Sequence, residues 1–230
     1  MIDGLKRALG LAAIVLMPVV LFPTAAAAGQ ASDRLFAEGV LQAIAPGTEL
    51  IYGHIREGAE EDDRVQWIDD GELRVALQDG QDGSREAVIS MLSEGKVRRR
   101  MNPLPVSIGN PVLLTFLESS LRAMANITGG SPFYIRNRMK AALRDGGTIT
   151  PVQAQVGDKT VDAQQITFIP FLHDQNRERM GEFADLELRF IMSDNAPGGF
   201  ILFSAETRPH ADGAVAFREQ ITYRTARLGE

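Results

Sequence analysis

The 230-residue chain contains no cysteine. Disulfide scaffolding, thiolate metal sites, thiol catalysis and lipidation on a cysteine are therefore excluded. It has only three histidines, His54, His173 and His210, far apart and at no spacing that binds a metal from one element. No metal site and no cofactor are expected. It lacks a Gly-x-Ser-x-Gly elbow and a phosphate-cradling glycine loop. Ser93-Glu94-Gly95-Lys96 matches Ser-x-x-Lys, but it spans a hairpin turn and its partner motifs are missing. His173 and Asp174 would point to opposite faces of a strand, so they make a poor acid/base pair. The run Glu60-Glu61-Asp62-Asp63 lacks the alternating ligands and central glycine of a calcium loop and reads as a solvated loop. No catalytic residue emerges, and the chain reads as non-enzymatic, with an uncharacterised hydrolase as an alternative.

What is present begins at the N-terminus. Lys6 and Arg7 precede an apolar stretch at 8–22, broken by Gly10 and Pro18, and then the run Ala25-Ala26-Ala27-Ala28. A charged start, an apolar middle and a small-residue end form a secretory signal peptide over 1–28. The stretch is too short for a spanning helix, which needs about 20 residues. The reading is export to a bacterial periplasm, with cleavage after Ala28 and no stable membrane span afterwards. Asn126-Ile127-Thr128 matches a glycosylation acceptor, which matters only in a eukaryotic secretory route.

Residues 29–230 read as a single α+β domain with no internal repeat. A short helix is expected at 32–45, with Leu35, Phe36, Val40, Leu41 and Ile44 as its apolar stripe. Period-two patterning then runs over 49–102. It predicts a strand at 49–57, a hairpin at 64–78 around Asp70-Gly71, and a second hairpin at 84–102 around Glu94-Gly95. Asn110-Pro111 and Ser131-Pro132 are helix starts, and glycine pairs at 129–130 and 146–147 are stops. They delimit a two-helix hairpin over 111–145. Alternation returns over 148–226, with Ala184, Leu186, Leu188, Phe190 and Met192 on one face. One wet and one dry face indicate a mainly antiparallel, curved sheet packed on one side.

Charge is segregated. The net charge is −6, yet residues 96–144 carry nine basic side chains against Glu118 alone. Lys96, Arg98 and Arg100 share a strand face. Arg136, Lys140 and Arg144 form one row on the second helix. This basic face suits an acidic protein or anionic head groups and supports a protein-interaction module as a second reading. Nucleic acid is a poor fit for an exported acidic chain without stacking aromatics nearby. Glu219 interrupts the apolar alternation of Val215, Phe217, Ile221 and Tyr223, so it needs a partner, a bulge or a cavity mouth.

The meander over 49–102, the helices over 112–144 and the returning strands over 152–224 resemble, in plan, the periplasmic half-barrel proteins LolA and LolB. The resemblance covers most of the chain after the signal. It implies a curved antiparallel sheet with helices on its concave side and a role with lipid-like ligands in the envelope. A cleft between sheet and helices would then hold an apolar small molecule or lipid. Its expected lining is Trp67, Phe116, Met124, Phe133, Phe168 and Phe171, with Glu219 at its edge.

Overall fold

The computed structural model describes residues 25–58 and 64–228. Most of the expected signal segment (1–24) and the acidic run at 60–63 lie outside the described residues. The element order is helix α1 (Ala25–Leu35), strands β1 (Thr48–Glu57), β2 (Ile68–Asp79), β3 (Arg85–Ser93), β4 (Lys96–Arg100) and β5 (Leu104–Pro105), helices α2 (Pro111–Thr128) and α3 (Pro132–Asp145), then β6 (Thr148–Val156), β7 (Lys159–Phe168), β8 (Glu187–Met192), β9 (Phe200–Glu206) and β10 (Arg218–Leu228). The strands form one open sheet in the order β4-β3-β2-β1-β10-β9-β8-β7-β6, with β5 beside β3. Every pairing is antiparallel. The fold is α+β, with the mainly antiparallel sheet and inserted helix pair that the sequence predicts, and the sheet is open.

The sheet joins two meanders where β1 meets β10. Alternate residues of the strands, among them Leu73, Val75 and Leu77 of β2 and Leu188, Phe190 and Met192 of β8, are buried in the main core. Phe116, Leu121 and Met124 of α2 and Ile135, Met139 and Leu143 of α3 join the same core. The helix starts behave as the sequence dictates. Asn110 accepts a hydrogen bond from the Val112 N–H at 2.9 Å, Pro111 opens α2, and Gly129 closes it in the left-handed conformation. β6 is an edge strand, where Pro151 costs no ladder hydrogen bond.

Two expectations need correction. The first helix spans 25–35 rather than 32–45, and turns follow it. Gly39 adopts φ +80, which ends any regular helix there, and only isolated turn bonds such as Gln42 N–H to Gly39 O remain. The expected cleavage point after Ala28 therefore falls within α1. The second correction concerns Asp70-Gly71, which is no turn but lies inside the continuous strand β2. Gly71 sits opposite His54, and a Cβ there would approach the His54 carbonyl oxygen to 2.7 Å. The glycine serves close strand contact beside the irregularity at 54–56 of β1. The Glu94-Gly95 hairpin is as expected, with positive φ at both residues joining β3 to β4.

Candidate functional site

β10 carries Glu219 directly opposite Arg56 of β1. His54 lies two residues away on the same face of β1, because side chains alternate along a strand. Helix α2 lays Ser119 and Ser120 over these three. Glu219 is fully buried and accepts four hydrogen bonds. Its Oε1 lies 2.8 Å from His54 Nε2, 2.9 Å from an Arg56 amino group and 2.7 Å from Ser119 Oγ. Its Oε2 accepts from Ser120 Oγ at 3.0 Å. Arg56 also donates to the Gln66 carbonyl at 2.9 Å and to Ser119 Oγ. Facing an ionised carboxylate, His54 Nε2 must carry a hydrogen.

Burial alone would push the Glu219 carboxyl up. The His54 hydrogen bond and the Arg56 charge outweigh it and hold the group below the usual carboxylate range. A carboxylate stabilised in this way is a weak base, so the cluster fixes geometry rather than abstracting protons. Asp174 is similar. Burial opposes ionisation, but the Tyr134 hydroxyl at 2.6 Å, the Asn176 N–H at 2.7 Å and the Arg138 guanidinium at 2.6 Å hold its pKa down. Asp174 thus clamps its loop to α3, and its carboxylate is committed away from His173.

These two carboxylates predict the acid limb of stability. Their folded pKa values lie below the unfolded ones, near 4.5 for glutamate and 3.8 for aspartate. The stabilisation they contribute is complete above those values and is lost as pH falls through the lower folded ones. The urea midpoint should hold steady from pH 7 to about 5 and fall steeply below about 4. Asp174→Asn should flatten that fall, and an unchanged acid limb in this variant would refute its share.

His54, Arg56 and Ser119 form part of the wall of an open cleft of about 670 Å³ between β1–β4 and α2. The cleft follows α2 from Pro111 to Asn126, about 22 Å at 1.5 Å per residue. Met91, Met101, Leu104 and Leu114 give it apolar walls, with Trp67 and Val65 near the Asn126 end. Asn126 ties that end down by donating to the Arg64 carbonyl at 3.0 Å.

Of the aromatic and methionine residues expected to line a cleft, Trp67 lines this one, and Phe168 borders a separate hollow beside α3. Phe116, Met124, Phe168 and Phe171 are buried in the main core and fill the space beneath the helices. Phe133 is 74% exposed on α3, with Arg136 over its ring at 5.8 Å. Glu219 lies behind the wall and reaches the cleft only through Arg56, His54 and Ser119. The basic row of α3 is partly neutralised within the molecule: Arg136 pairs with Glu118 at 3.1 Å and Arg144 with Asp145 at 2.6 Å, while Lys140 is exposed. Ser119 and Ser120 escaped notice in the sequence, although Ser120 occupies a core position of α2 one turn from Phe116 and Met124. That break in an apolar stripe was their signal.

Among the described residues there is no group of three or more His, Asp or Glu side chains placed to hold a metal ion. No known family profile matches the chain, and no curated protein does. Solved structures do. The chain is similar to MucB, at 10% identity and TM-score 0.38, over 89% of this chain and 60% of that one. It is similar to the Pseudomonas aeruginosa MucA/MucB complex structure, at 13% identity and TM-score 0.38, over 88% and 57%. It is similar to the Mycobacterium tuberculosis lipoprotein LppX, at 10% identity and TM-score 0.31, over 76% and 84%. The chain thus spans about 60% of the length of MucB.

Proposed function

We propose that the protein is a non-enzymatic binding protein of the periplasm that holds a lipid-like ligand in the cleft between β1–β4 and α2. The observation that supports this is the cleft itself, whose size and methionine- and leucine-rich walls suit an apolar chain. Methionine walls adapt to ligands of varied shape. The buried Glu219 cluster anchors the polar side of the wall, so the site is preformed rather than assembled on binding. The signal reading of the first 28 residues agrees with an envelope role. Among the described residues no helix is long and apolar enough to cross a membrane.

The purified protein should bind a fluorescent fatty-acid probe saturably at micromolar concentration, one per chain. Trp67→Ala should weaken this about tenfold, equivalent to about 1.4 kcal/mol. Phe133→Ala, on the outer side of α3, should leave it unchanged. No saturable uptake by the folded protein would overturn the reading.

A further inference from the structure

Apolar walls describe only half of this cleft. Five guanidinium groups line it, from Arg56, Arg64, Arg98, Arg99 and Arg122. Glu118 is the one carboxylate among its described lining residues. It is shared between Arg122 at 2.8 Å and Arg136 at 3.1 Å, so it faces more positive charge than it can offset. Arg98 has a single exposed contact with Glu94 at 3.2 Å. Arg99 has no ion pair with any described residue. Arg56 is balanced by Glu219 from behind, yet its Nε is buried without an acceptor, as is Trp67 Nε1. Buried N–H donors normally find acceptors. The wall therefore offers apolar contacts and, at the Arg98, Arg99 and Arg122 rim, more positive charge than Glu94 and Glu118 offset.

We propose that the cleft selects a single-chain amphiphile with an anionic head, phosphate or carboxylate, and that the Arg98, Arg99 and Arg122 rim reads the head. Planar guanidinium groups bind both heads through paired charge-assisted hydrogen bonds. The Met91, Met101, Leu104 and Leu114 walls take the alkyl chain. A bare inorganic anion would leave these walls unused. This inference rests on the cleft being the ligand site proposed above, but it makes a separate demand: the head group must matter.

The test displaces the fluorescent probe with ligands of one tail and different heads, each below its micelle concentration. Dodecyl phosphate and dodecanoate should compete at least tenfold more tightly than neutral dodecanol or cationic dodecyltrimethylammonium. Their ranking identifies the head. The anionic advantage should shrink in about 0.5 M salt. It should also shrink severalfold in Arg99→Gln/Arg122→Gln, whose exposed positions leave the core intact. Equal competition by all heads would overturn the inference while leaving the apolar site standing. Failure of the probe to bind at all would remove both. Polyglutamate competing as well as dodecyl phosphate would overturn it in favour of an acidic protein segment.

Discussion

Glu219→Gln should cost about 3–5 kcal/mol of folding stability at pH 7. Glutamine keeps the shape of the side chain but removes the charge that balances Arg56. It also places an amide N–H₂ among four donors, from His54, Arg56, Ser119 and Ser120. One arginine would be left largely buried without a counter-charge, and at least one donor without an acceptor. Against a total stability of about 5–15 kcal/mol for a domain, that is a large share. Arg56→Met in the same chain should recover part of the loss, because removing both charges is far less costly than removing one. A double-mutant cycle by urea denaturation should give a coupling of at least about 1.5 kcal/mol between the two positions. Additive effects, or a cost below about 1 kcal/mol for the single variant, would refute the cluster as a structural anchor.

The same cluster shows what a sequence discloses and what it withholds. Glu219 announced itself, because a carboxylate in the middle of Phe217, Ile221 and Tyr223 cannot be buried alone. Its partners did not. Arg56 becomes its neighbour only because β1 pairs with β10 across most of the chain length, and no local pattern encodes that long-range pairing. The helix limits at 111–128 and 132–145 were legible because Asn110-Pro111, Ser131-Pro132 and the glycine pairs act locally. Asp70-Gly71 misled for a related reason. An Asp-Gly pair favours a tight turn in isolation, but here strand neighbours on both sides keep β2 extended through it. The aromatic cleft lining was a reasonable set of apolar residues, yet apolarity alone does not separate a core from a cavity wall. The rim arginines were visible as a charged segment, and only the closure of α2 over β3 and β4 brings Arg99 and Arg122 to one groove.

Phe203→Ala should be nearly as damaging, at about 3–5 kcal/mol, and it separates core from cleft. Phe203 is fully buried on β9 and stacks on Phe200 with centroids 4.6 Å apart. Its ring also meets Tyr52 at 6.3 Å, Phe116 at 5.8 Å and Phe190 at 6.2 Å. Truncation removes the buried ring and leaves a cavity beneath α2 that four large neighbours cannot all move to fill. Phe203→Leu, which keeps most of the volume, should cost about 1–2 kcal/mol. Urea denaturation with an unchanged m-value would measure both. A cost for Phe203→Ala below about 2 kcal/mol would mean that the core is loosely packed there. Phe203 does not line the cleft, so whatever fraction of Phe203→Ala stays folded should bind the fatty-acid probe as the parent protein does. If the folded variant instead loses probe binding while Trp67→Ala retains it, the ligand occupies the aromatic space under α2. The groove between β1–β4 and α2 would then not be its site.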